Sequence, residues 1–147
     1  MYRRSKVIFS LFISFVLADS NYERIDFVSA NPFTFRDIIL DLENQERQNV
    51  YGVLKLPKNQ QKEKHPLIIG VAGSNGWSEH HYEFLEMYRE MGIATLELKS
   101  FESRGVKSTV GTQIKVTTAM MILDSYRALD AVSTHPNIDI SKVAITG

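Results

Sequence analysis

The chain has 147 residues, enough for one domain with a sizeable core, and its 44% hydrophobic and 23% charged residues are ordinary for a folded protein. Lys+Arg and Asp+Glu balance at 17 each, which argues against nucleic acid or an anionic membrane surface as a partner. The chain has no Cys, which excludes disulfides, thiolate nucleophiles among these residues and Cys-based zinc sites.

At the N-terminus, Met1-Tyr2-Arg3-Arg4-Ser5-Lys6 is basic and Val7 to Ala18 is apolar apart from Ser10 and Ser14. Val16-Leu17-Ala18 places small or branched residues at the −3 and −1 positions of a cleavage site after Ala18. That is the three-part plan of a secretory signal peptide, and an apolar run of about a dozen residues is short for a bilayer span. Residues 1–18 are therefore read as a signal peptide that exports the protein to the periplasm or the exterior. The alternative is an uncleaved N-terminal membrane anchor. Removal of Arg3, Arg4 and Lys6 leaves 14 positive and 17 negative side chains, a net charge of −3.

Residues 19–147 are expected to form the N-terminal portion of a single α/β domain. Phe35 to Leu42 alternates imperfectly and reads as a half-exposed strand; Asn44 to Asn49 reads as a polar turn. Val50 to Leu56 reads as a second strand stopped by Pro57, the two forming an antiparallel hairpin or meander at a sheet edge. Lys58 to His65 reads as a solvated surface loop. Leu67 to Ala72 is an apolar run without charge, the pattern of a strand buried on both faces, and it stops at Gly73-Ser74-Asn75-Gly76. Trp77 to Met91 carries apolar residues at helical spacing, with Gly92 where a helix C′ glycine is expected. Ile93 to Leu98 reads as a strand and Lys99 to Val106 as a long loop at its carboxyl end. Ile114 to Ser133 reads as a helix with Ala119, Ile122, Leu123, Tyr126, Leu129 and Val132 on one stripe. Ile138 to Ser141 reads as a turn, and Lys142 to Gly147 as a third apolar strand. From Pro66 onward the order is β-α-β-α-β, which implies a parallel sheet with right-handed crossovers.

The strand, glycine turn and helix at 67–91 expose backbone N–H groups where α/β proteins bind ligands. A phosphate-binding loop requires a Lys beside its second glycine, and no Lys lies between Ile68 and Arg89. A dinucleotide fingerprint requires G-x-G-x-x-G, whereas the glycines here are Gly70, Gly73 and Gly76, although Glu97 is near the place where that fingerprint has its acidic residue. The third reading is an oxyanion loop, in which the turn donates a backbone N–H to a tetrahedral intermediate. The end of the chain favours it. Thr146-Gly147 follows the strand after the second helix, where a nucleophile elbow G-x-S-x-G would begin.

Val53-Leu54-Lys55-Leu56-Pro57, the strand and turn from Leu67 to Gly76, and Met91-Gly92-Ile93-Ala94-Thr95-Leu96 follow one another in order. Ser100-Phe101-Glu102-Ser103-Arg104-Gly105, Asp124-Ser125-Tyr126-Arg127-Ala128-Leu129 and the block from His135-Pro136 to Thr146-Gly147 continue the series. In this order and spacing, Val50 to Gly147 resembles the N-terminal half of a dienelactone hydrolase-like α/β-hydrolase. Ala72 stands where that family commonly has a His, which supports the oxyanion loop through hydrogen bonds.

The resemblance implies antiparallel edge strands followed by β-α-β-α-β of a mostly parallel sheet. It also implies hydrolysis of a carboxylic ester, lactone or thioester by nucleophilic acyl transfer, with no metal or organic cofactor. The nucleophile, Ser or Cys, would lie two residues past Gly147, with the acid and His further on, so the fragment by itself is expected to be inactive. A non-catalytic module that binds small molecules in the same pocket is the alternative. Ser74 and Asn75 are the candidate oxyanion donors through their backbone N–H groups, or else merely turn the chain. Arg104 either lines the pocket and meets a substrate carboxylate or makes a structural ion pair. Asp124 reads as a surface or helix-packing residue, and Trp77 as a packing residue beneath the turn. His80 and His81, as neighbours, should not share a helix face, which argues against a metal site.

Overall fold

A computed structural model of the chain describes residues 22–58 and 63–147; the segment read as a signal peptide lies outside the described residues. No helix among the described residues is long and apolar enough to cross a membrane.

Five strands form one mixed sheet: β1 (Tyr22–Ala30), β2 (Arg47–Lys55), β3 (His65–Val71), β4 (Ala94–Leu98) and β5 (Ile138–Thr146), in the order β1-β2-β4-β3-β5. β1 pairs with β2 and β2 with β4, both antiparallel, while β3 pairs with β4 and with β5 in parallel. The expected β-α-β-α-β unit is present, with α2 (Glu79–Glu90) between β3 and β4 and α3 (Thr118–Val132) between β4 and β5. The two crossovers run in opposite directions along the sheet, so their common right-handedness puts α2 and α3 on opposite faces.

β4 is the most enclosed strand, with all five residues buried. β3, expected to be buried on both faces, alternates instead: Leu67 and Ile69 are buried, while Ile68 and Val71 are half-buried. Leu54, Leu67, Ile69, Leu96 and Val132 belong to one core cluster, each such side chain worth about 2 kcal/mol of burial.

Three further expectations fail. Phe35 to Leu42 is not a strand: Phe35–Leu40 is a helix, α1, opened by a capping box in which Thr34 accepts from the Asp37 N–H and Asp37 accepts from the Thr34 N–H. The reciprocal cap satisfies two donors at once and overrides the alternating pattern. The strand that pairs with β2 is β1, upstream of α1. Residues 138–141 do not form a turn separate from the last strand, because β5 already begins at Ile138, beside His65, and takes a register shift before Val143.

α3 is also rotated from its expected stripe. It buries Met120, Asp124, Ser125 and Ala128 and leaves Ile122 and Tyr126 exposed.

Candidate functional site

β3, β4 and β5 are parallel, so Val71, Leu98 and Thr146 all end at one edge of the sheet. The antiparallel β2 starts at this edge, since Gly52 pairs with Leu98, and the Pro32–Leu40 segment that precedes β2 is carried there too. Ligands of open α/β sheets bind at such an edge.

The turn after β3 closes through a Gly76 N–H to Gly73 carbonyl bond of 2.8 Å, leaving Ser74 and Asn75 at its exposed tip. Gly76 has φ +78°, and a Cβ there would sit 2.5 Å from the Lys107 carbonyl oxygen. Only glycine meets both conditions. The loop that presses on Gly76 also grips the turn: the Ser74 carbonyl accepts from the Thr109 N–H at 2.8 Å and the Ser108 hydroxyl at 3.0 Å, with the Thr109 hydroxyl at 3.4 Å. This clamp supports the turn where Ala72, itself buried, offers no hydrogen bond. Among the described residues, neither the Ser74 nor the Asn75 N–H is engaged in a hydrogen bond. Gly147 lies beside Val71, the last residue of β3, where a Cβ would come 2.8 Å from the Val71 carbonyl oxygen, so the strand end admits little beyond glycine.

Ser74 forms part of the wall of a cleft of about 410 Å³, with Phe33 and Phe35 from the α1 segment, Thr109, and Val116 and Met121 at the start of α3. Thr117 ties this wall together: its hydroxyl donates to the Pro32 carbonyl at 3.0 Å and caps α3 at the Met120 N–H. Sequence reasoning missed Phe33, Phe35 and Thr109; the Thr34-x-x-Asp37 spacing was the signal that would have found the helix carrying Phe35.

Arg104, the second candidate, is brought to the same edge but not into the cleft. Its guanidinium is 6% exposed and makes a bidentate pair with Asp124, which is fully buried, at 2.7 and 3.1 Å. It also donates to Asn31 Oδ1 at 2.8 Å, the Ser100 carbonyl at 3.0 Å and the Ala30 carbonyl at 3.1 Å. Five N–H donors thus meet five acceptors, and none is left for a substrate carboxylate. Of the two readings of Arg104, the structure has the ion pair. Asp124 is its buried partner and not a surface residue.

Glu97, which a nucleotide reading would have needed, is also buried and taken up, by Lys55 at 2.6 Å and Lys99 at 3.3 Å. Lys99 lies 4.7 Å over the Trp77 ring, and the Trp77 indole donates to the Leu98 carbonyl at 3.1 Å. Trp77 therefore packs against the ends of β3 and β4.

His80 and His81 come together despite being neighbours, because both sit in the first turn of α2. Each Nδ1 lies 2.9 Å from the Ser78 hydroxyl, and the rings are 4.0 Å apart. His81 accepts from the Ser78 N–H at 3.1 Å and closes the helix cap. Burial, and secondarily the charge of His80, pushes the His81 imidazole below its ordinary value. Among the described residues, no group of three or more His, Asp or Glu converges as a metal site would require.

No family model matches the chain, and no curated protein matches it. Among solved structures, a hypothetical protein from Pseudomonas aeruginosa superposes with a TM-score of 0.54 at 18% identity, over 99% of this chain and 41% of its own. A protein described as a dienelactone hydrolase from Klebsiella pneumoniae superposes with a TM-score of 0.54 at 19% identity, over 85% of this chain and 50% of its own. The chain spans about half the length of these structures, and at such identity the likeness is one of fold. The described residues have part of the α/β-hydrolase fold, as dienelactone hydrolase-like proteins have it.

Proposed function

We propose that this chain supplies the oxyanion turn and part of the substrate cleft of an enzyme that hydrolyses a carboxylic ester, lactone or thioester by acyl transfer. The observation that carries this reading is the exposed Ser74-Asn75 turn, with two unused N–H groups, clamped in place after the strand end that Gly147 meets at Val71. A nucleophile two residues past Gly147 would attack the carbonyl while a His takes its proton and returns it to the leaving group. The turn's N–H groups would hold the negative oxygen as it forms, each well-placed donor lowering the barrier by about 3 kcal/mol.

The protein expressed from its complete reading frame is expected to hydrolyse p-nitrophenyl acetate, whereas residues 1–147 alone are not. Ser74→Pro removes one donor at a turn position that proline tolerates, and should lower kcat about 100-fold with little loss of stability. Absence of turnover in the complete protein, with Ala or Gly two positions past Gly147, supports a non-catalytic binding module instead.

We also propose that the protein is exported, with cleavage after Ala18. N-terminal sequencing of exported protein tests this: a start at Asp19 supports cleavage, and a start at Met1 supports a retained anchor.

A further inference from the structure

We infer that the cleft beside Ser74 takes an uncharged ester with an apolar arm and rejects one that carries a carboxylate. The inference rests on the acyl-transfer reading for the word ester, but its physical basis is the wall of the cleft. Phe33, Phe35, Val116 and Met121 give that wall aromatic and aliphatic surface, and its polar members, Thr34, Ser74, Thr109, Gln113, Thr117 and Thr118, are all neutral. No residue that forms the wall is ionisable. Lys107 and Lys115, the cations on the same loop, are exposed and are not part of it. Of the other cations near this edge of the sheet, Arg36 is exposed and outside the wall, Lys99 is paired with Glu97, and Arg104 has every donor spent on Asp124, Asn31 and two carbonyls. An anionic arm would therefore give up part of its hydration against a wall with no counter-charge, an unfavourable exchange for an ionised carboxylate. An apolar arm would instead cover rings that now stand in solvent, Phe33 at 56% and Phe35 at 50% exposure.

The geometry also explains why a helix stands between β1 and β2 where a short turn would join them. Asn31 and Pro32 are tied to Arg104 and Thr117, and the Thr34 cap starts α1 immediately after. The two phenylalanines flanking Thr34 are thereby held at the mouth of the cleft.

A matched pair of non-hydrolysable ketones separates this inference from the reaction itself. Binding of 2-octanone and of 7-oxooctanoate to the complete protein is measured by ligand-observed NMR at neutral pH. The neutral ketone should bind about tenfold more tightly or better. Phe33→Ala/Phe35→Ala should weaken it about tenfold, leaving the melting temperature within a degree or so because both rings are exposed. Equal or tighter binding of the carboxylate, no binding of either ketone, or an unchanged affinity in the double variant overturns the inference. Turnover of p-nitrophenyl hexanoate and of mono-p-nitrophenyl adipate is measured alongside. Preference for the neutral ketone without turnover of either ester supports the cleft's selectivity and sinks the acyl-transfer reading. Turnover that favours the adipate overturns the selectivity and leaves that reading standing.

Discussion

The turn at Gly73–Gly76 and the loop at Phe101–Gly105 begin alike and end as opposites. Each follows a parallel strand at the same edge of the sheet, and each carries a glycine at positive φ, +78° at Gly76 and +66° at Gly105. The first leaves its tip N–H groups exposed and unused; the second turns Arg104 inward and saturates it. What differs is the surroundings. The β4 loop has acceptors on two sides, from the end of β1 and from Asp124 on α3, whereas the β3 turn meets another loop that engages only its carbonyl. Position at a carboxyl edge therefore makes a polar group available for chemistry only where neighbouring elements have not already claimed it.

The contrast can be broken most forcefully at Asp124. Asp124→Ala leaves a buried guanidinium short of its two anionic acceptors and should cost about 3–5 kcal/mol, read by chemical denaturation. Asn75→Ala, by contrast, should stay within about 0.5 kcal/mol of the parent. If Asp124→Ala is equally silent, the β4 loop is not the saturated structural device described above. Next in size is Gly76→Ala, which must adopt a left-handed φ and push the Lys107 carbonyl aside; a loss of about 2 kcal/mol or more is expected. A neutral result would mean that the 107–109 loop does not press on the turn. Thr34→Ala should remove about 1 kcal/mol by uncapping α1, and should weaken the neutral ketone if that helix holds the cleft mouth.

The smallest effect is one of pH. The His81 imidazole is held below its ordinary 6.5, first by burial and then by His80, so the folded state prefers it neutral. Its contribution to stability is present above about 6.5 and is lost as pH falls through the lower folded-state value. The melting temperature should decline across that window, and less steeply in His81→Asn, whose side-chain oxygen can still accept from the Ser78 N–H. An identical slope in the variant would remove His81 from the account.

Most of the architecture from Leu67 onward was legible because its strands are short apolar runs and its helices show apolar spacing of about 3.6 residues. The failures have physical causes. Ile38-Ile39-Leu40 looks like strand material until the Thr34–Asp37 cap is weighed, and these residues are tolerated on a helix whose Ile39 and Leu40 remain exposed. On α3, Asp124 reads as a surface or helix-packing residue, yet it is fully buried because Arg104 meets it from 20 residues earlier in the chain. No local pattern carries such a pairing. Ser74 and Asn75 were legible as a turn, but whether their N–H groups are engaged depends on Ser108 and Thr109, which only the fold brings near.

The triple grip on the Ser74 carbonyl reaches one atom further than the contact itself. That carbonyl and the Asn75 N–H belong to a single planar trans peptide unit, so the two vectors point in opposite directions. Holding the oxygen against Ser108 and Thr109 therefore aims the hydrogen away from them, with no help from any side chain at the tip. The identities at 74 and 75 are then open to drift among non-proline residues while the donor keeps its bearing. Selection on that bearing would fall on a different segment, the pair of hydroxyl residues at 108 and 109.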